Sequence, residues 1–171
     1  MDSTFTHLFK LSEGISLEFS ILSTRPNVAG ALASISKLLR GALRDAELKL
    51  FLLAIDEVLQ NAYEHGNLEI SNLEKKSLLE NDQLEIELKS REQKFSNRKI
   101  HIQLNLEKHL LKISVTDEGQ GFDWRNSKLN NKENTSLHER GLSIIQAASD
   151  KIEFNDKGNS ITLHRSVTSY P

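Results

Sequence analysis

The chain has no cysteine. That excludes a disulfide framework, a catalytic thiolate and every cysteine-based zinc site together. An excess of one charge is also missing: 22 Lys and Arg stand against 24 Asp and Glu, a net charge of −2. Such a balance argues against a general binder of nucleic acid or membrane surfaces and leaves room only for a local basic site. No window approaches the ~20 apolar residues that a membrane-spanning helix requires. The N-terminus lacks the basic segment and apolar run of a secretory signal. With 171 residues, 37% apolar and 27% charged, the expectation is a cytoplasmic, globular chain forming one domain over residues 1–171.

What is present is periodicity. Residues 1–14 carry little pattern. From Ser16 to Leu22, Leu17, Phe19 and Ile21 alternate as in a half-buried strand. Thr24, Arg25 and Pro26 lead into a helix that runs to about Gly41 and buries Val28, Leu32, Ile35 and Leu39. A longer helix spans about Asp45 to Glu64. Residues 68–98 are charged and irregular, and read as an inserted helix over roughly 74–93 that is solvated or faces a partner. From Lys99 the period switches to two: Ile100, Ile102, Leu104 and Leu106 share one strand, and Leu111, Ile113 and Val115 the next. A polar stretch over 126–139 reads as a long loop. A short helix over about 141–149 and a hairpin over 152–165 close the chain. Segregated helices and antiparallel strands predict an α+β, two-layer sandwich.

Four stretches place polar residues where apolar ones are due. In "AIDEVLQNAYEHGN", Glu57, Asn61 and His65 recur every fourth residue along one flank of an apolar helical face, while Glu64 and Gln60 turn toward water. Two readings stay open for Glu57 and Asn61: ordinary surface positions, or a pair that holds a metal and orients a water. In "ISVTDEGQGFDW", Asp117 keeps the buried parity of Ile113 and Val115, so its carboxylate needs a donor, from a capped turn or from a ligand. Gly119 and Gly121 follow and permit close backbone approach. In "HERGLSIIQAASD", Arg140 and Gly141 open a helix whose N-terminus suits phosphate, or is simply a helix start. In "KGNSITL", Asn159 shares the parity of Ile161 and Leu163, as a turn residue or a ligand contact.

Taken in this order, "EVLQNAYEHGN", "DEGQGF", "RGLSII" and "GNSITL" resemble the nucleotide-binding domain of the GHKL (Bergerat) ATPase superfamily. Within it, the HGN ending and the DEGQGF form look most like the anti-sigma factor serine/threonine kinases. The resemblance covers about residues 16–165. It implies a two-layer sandwich with helices on one face of a mixed, mostly antiparallel sheet, and ATP and Mg²⁺ as cofactors. It assigns Mg²⁺ to Asn61, general-base catalysis to Glu57, and the adenine amino group to Asp117. Gly119, Gly121, Arg140, Gly141 and Asn159 become nucleotide contacts, and residues 126–139 the ATP lid. The implied partners are an anti-sigma factor antagonist of STAS type, a sigma factor and a second copy of the chain, with neither nucleic acid nor membrane.

Glu139 stands where the family usually has the first glycine of its second glycine box. A carboxylate there repels phosphates unless it turns away or pairs with Arg140. The alternative is therefore a regulatory module of the same fold that binds nucleotide and partners without transferring phosphate. A two-component histidine kinase is a third reading, for which His7, in the unpatterned start, offers no phospho-accepting helix. His65, His101, His109, His138 and His164 show no recognised metal-site spacing.

Overall fold

The two-residue alternation becomes a sheet. In the computed structural model, which describes residues 4–11, 14–40, 43–125 and 137–167, the strands are β1 (Thr4–Leu11), β2 (Gly14–Leu22), β3 (Lys99–Glu107), β4 (Leu110–Thr116), β5 (Lys151–Phe154) and β6 (Ser160–Ser166). The described strands lie in the order β1-β2-β3-β4-β6-β5. Every pairing between them is antiparallel, so the expected parallel component of a mixed sheet does not occur among them. For two of these pairings, β3 with β4 and β5 with β6, the reason lies in the connections, short turns that can only reverse the chain.

Register sets the core. Phe19, Ile102, Val115 and Ile161 stand side by side across β2, β3, β4 and β6, and Leu17, Leu104, Ile113 and Leu163 form the next row. Onto these rows pack α1 (Arg25–Leu39), α2 (Asp45–Gln60) and α5 (Leu137–Ala148), through buried residues such as Val28, Ile35, Phe51, Ile55, Leu59 and Ile145. Each such side chain contributes about 1.5–3 kcal/mol by leaving water. The opposite face of the sheet is polar and stitched across strands, as by Ser16 Oγ to Asn105 Oδ1 (2.7 Å) and the Thr116 and Ser160 hydroxyls (2.7 Å). This is the expected α+β sandwich. No helix among the described residues is long and apolar enough to cross a membrane.

Four elements differ from the sequence reading. Residues 4–11, read as patternless, form the edge strand β1. Its register slips between Phe5 and His7, and such a bulge inverts side-chain parity and hides a strand from a period-two reading. The insertion is two helices rather than one, α3 (Asn72–Glu80) and α4 (Leu84–Lys94). A capping box starts α3, with the Glu74 amide donating to Ser71 Oγ (3.1 Å) and the Ser71 amide to Glu74 Oε2 (3.3 Å). Past its end, Asp82 takes φ +55, a left-handed conformation that no right-handed helix continues through.

The third difference lies in the opening motif. α2 stops at Gln60 and runs on as a π-helical segment, Asn61–Asn67, closed by the Leu68 amide on the Tyr63 carbonyl at 2.9 Å. The wider winding changes the phase of the side chains. Glu64, expected to face water, is only 5% exposed and is paired with Lys75. Fourth, α5 begins at Leu137 and not near Gly141, in keeping with the good helix formers Leu137, Glu139 and Arg140.

Candidate functional site

The site begins where β4 ends. Asp117 continues the parity of Leu111, Ile113 and Val115, so its side chain enters the core side just past the strand. Three hydrogen bonds hold it. The Asp117 amide donates to the Asn159 carbonyl (2.9 Å), Asn159 Nδ2 donates to the Asp117 carbonyl (2.5 Å), and the Gly119 amide donates to Asp117 Oδ1 (2.8 Å). Burial pushes the carboxyl up to about 6, against the opposing pull of the Gly119 amide and of Lys157 and Arg98.

Two glycines let the chain close on this carboxylate. A Cβ on Gly66 would overlap the Asp117 carboxyl carbon, and a Cβ on Gly119 would overlap the Gly66 carbonyl oxygen. The end of the π-helical segment and the turn after β4 therefore meet with no side chain between them. Asn67, fully buried, locks that meeting. Its Nδ2 donates to Ser23 Oγ (2.5 Å) and to the Lys99 carbonyl (2.9 Å), and its Oδ1 accepts from the Glu118 amide (2.7 Å).

Above Asp117 lies a cavity of about 520 Å³, inside the roughly 300–1,000 Å³ range of small-molecule pockets. Val58, Val115, Leu142, Ile145 and Ile161 supply apolar wall, and Asn61, His65, Asp117 and Asn159 supply polar groups. Of the site residues expected from the sequence, Asn61, Asp117, Gly121 and Asn159 line this space. Gly121 has φ +76, which only glycine adopts without strain, and a Cβ there would strike the Lys157 carbonyl. Gly119 is buried against Gly66 rather than exposed in the wall.

Glu57 and Gly141 sit outside the lining, against each other. A Cβ on Gly141 would overlap Glu57 Oε2. Gly141 is thus not the first residue of a phosphate-facing helix, as expected, but the place where α5 makes room for the Glu57 carboxylate. The Arg140 and Glu139 backbones lie in α5, and their side chains lie outside the described residues. So do residues 126–136, which make up most of the expected lid.

The structure also brings in residues that the sequence reading passed over. His65, set aside as a turn residue, lines the cavity, with Nδ1 2.5 Å from the Ile70 carbonyl. Ile70, Ser71 and Asn72 carry the insertion into the wall, and Phe122 and Phe154 meet edge to face at 5.7 Å. One signal for the insertion was legible: "SNLE" at 71–74 is a capping box, which places a helix start directly after the HGN turn.

A sequence profile described as a histidine kinase-like ATPase domain matches residues 22–165. The chain belongs to this family. The matched span runs from the end of β2 into β6 and contains every residue of the cavity wall. The cavity is therefore part of an ATP-binding module of the GHKL superfamily, whose chemistry is ATP hydrolysis or ATP-dependent phosphotransfer. A search among curated proteins found no match. In this ATPase domain a desolvated carboxylate stands at one end of an apolar cavity and an amide, Asn61, on its helical wall.

Proposed function

We propose that the chain is an ATP- and Mg²⁺-dependent serine/threonine protein kinase that acts as an anti-sigma factor. In this reading the apolar wall takes the adenine, and Asp117 accepts a hydrogen bond from its 6-amino group. Mg²⁺ keeps most of its water and binds through phosphates and one or two protein oxygens. The Asn61 side-chain oxygen suits that demand. When bound, the ion neutralises phosphate charge.

Glu57, one helical turn before Asn61, takes the proton from a substrate Ser or Thr hydroxyl. The hydroxyl oxygen bonds to the γ-phosphorus as the bond from that phosphorus to the β,γ-bridging oxygen breaks, leaving ADP. The protein substrate is an anti-sigma factor antagonist of STAS type, the sequestered partner a sigma factor, and the working form a cytoplasmic homodimer; the motif resemblance supports these three. The observation that carries the enzymatic part is the placement of Asp117 and Asn61 in one cavity wall, with Glu57 one turn away.

A second reading has an observation of its own. Glu57 lies against Gly141 and not in the cavity wall, which favours a module that binds nucleotide without transferring phosphate. Incubation with γ-labelled ATP and candidate antagonists separates the two. A kinase gives acid-stable label on the antagonist, whereas nucleotide binding with an unlabelled antagonist supports the module. Asn61→Ala is expected to abolish both binding of Mg-ATP and labelling. Glu57→Ala is expected to keep ATP affinity within a factor of about two while labelling slows by roughly 10²–10⁴-fold, the usual worth of a general base. Unchanged labelling removes Glu57 from that role.

A further inference from the structure

We infer that the insertion is an integral part of the nucleotide site and that Arg91, on α4, is a positioning residue for it. The inference rests on the nucleotide reading above and extends it to residues far from the motifs.

It begins with the turn that follows the π-helical segment. A helix end leaves carbonyls without intrahelical partners, and here four in succession are met by side chains. Arg98 Nη1 donates to the Asn67 carbonyl at 2.7 Å. Arg91 Nη1 donates to the carbonyls of Leu68 (3.1 Å) and Glu69 (3.3 Å). The Ile70 carbonyl faces His65 Nδ1 at 2.5 Å. Between them Glu69 sits at φ +56, a conformation that a non-glycine side chain holds only when its surroundings impose it.

This turn is cavity wall: His65, Gly66, Glu69 and Ile70 all line it. Gly66, one residue before Asn67, is the backbone that closes on the Asp117 carboxylate. A shift of the turn therefore moves the groups around the acceptor meant for the adenine amino group.

Arg91 is fixed in turn by the insertion. Its Nη2 donates to Glu74 Oε1 on α3 (2.6 Å), and its Nε to Glu87 Oε1 on α4 (2.6 Å). All three of its nitrogens are engaged, in a side chain that is only 20% exposed. A planar guanidinium meets several acceptors at fixed angles, and a lysine ammonium does not reproduce that fork. The insertion thus clamps the turn from both helices through one residue.

The test is calorimetric titration of Mg-ATP into the full chain at a temperature where circular dichroism shows each variant folded. Arg91→Ala is expected to weaken ATP binding about tenfold. Arg25→Ala is the control: Arg25 Nη1 also holds the insertion, through Glu85 at 2.6 Å, yet no hydrogen bond joins it to the turn at 67–70. It is expected to bind like the parent. If Arg91→Ala does not fold, Arg91→Lys is read the same way, with a loss of about threefold or more. Parent-like affinity in a folded Arg91 variant, or an equal loss in Arg25→Ala, overturns the positioning role and leaves the nucleotide reading standing. Absence of ATP binding by the parent protein sinks the nucleotide reading, and this inference with it.

Discussion

Asp117→Asn is expected to stabilise the ligand-free protein at pH 8 and to cost it most of its affinity for ATP. Both effects follow from one side chain. Folding raises the Asp117 pKa from 3.8 to about 6. The group's contribution to stability is therefore fully present below about pH 4 and is lost as the pH climbs through about 6. Above that, holding the carboxylate ionised in its buried place costs about 3 kcal/mol. Asparagine removes the charge and adds a buried amide with incomplete partners, so a net gain of roughly 1–2 kcal/mol is expected. Thermal unfolding checks it: the variant melts on the order of 3–6 °C higher at pH 8, with the difference vanishing near pH 4.

The affinity loss has a geometric cause. The Gly119 amide donates to Asp117 Oδ1, so an asparagine must keep its oxygen there and turn Nδ2 to the other carboxylate position. An N–H donor then faces the adenine amino group where an acceptor is required. Losing one buried acceptor and gaining a donor clash is worth about 2–3 kcal/mol, a roughly 30–150-fold weaker dissociation constant. A variant that is both less stable and unchanged in affinity would contradict the role given to Asp117.

Gly119→Ala is expected to destabilise the fold and to remove ATP binding together. Its Cβ would overlap the carbonyl oxygen and carbon of Gly66 and approach Asp117 Oδ1 to 2.9 Å. Two of these atoms are backbone, so relief requires the turn after β4 to separate from the π-helical segment. Overpacking of this kind costs about 2–3 kcal/mol, a drop on the order of 5–10 °C in Tm for a chain of this size. ATP binding is expected to be lost even where the variant is folded. Gly30→Ala is the matched control. Apart from its chain neighbours and the backbone of its own helix, nothing lies within 4 Å of its added Cβ, and in the middle of α1 the change is expected to stabilise by about 0.5–1 kcal/mol. Equal melting temperatures for the two variants would refute the close approach at Gly119.

How far the sequence led depends on the length scale of each signal. Strand parity is a local property, and it placed Phe19, Ile102, Leu104, Ile113 and Val115 in the core and Asp117 beside the last of them. The placement of Asn61 on a wall beside Val58 also held, because both fall within one helical turn. The change of winding after Gln60 has no local signature, and with it Glu64 moved from water into an ion pair with Lys75. Asn67 read as the end of a turn, but its side chain bonds to Ser23, Lys99 and Glu118, each more than thirty residues away from it in sequence. Glu57 and Gly141 were both singled out for separate roles, and only the packing of α5 on α2 reveals that they touch. The turn at 67–70 shows the same limit, since nothing near it in sequence announces that Arg91 and Arg98 satisfy its carbonyls.

The most direct measurement is a pair of calorimetric titrations of the parent protein, Mg-ATP against Mg-GTP, at pH 8. With Asp117 ionised, its carboxylate accepts from the 6-amino group of adenine and repels the 6-oxo group of guanine. The expected result is saturable ATP binding with GTP at least about 30-fold weaker. Equal affinity for the two nucleotides, or no binding of ATP, would contradict a nucleotide site built around Asp117.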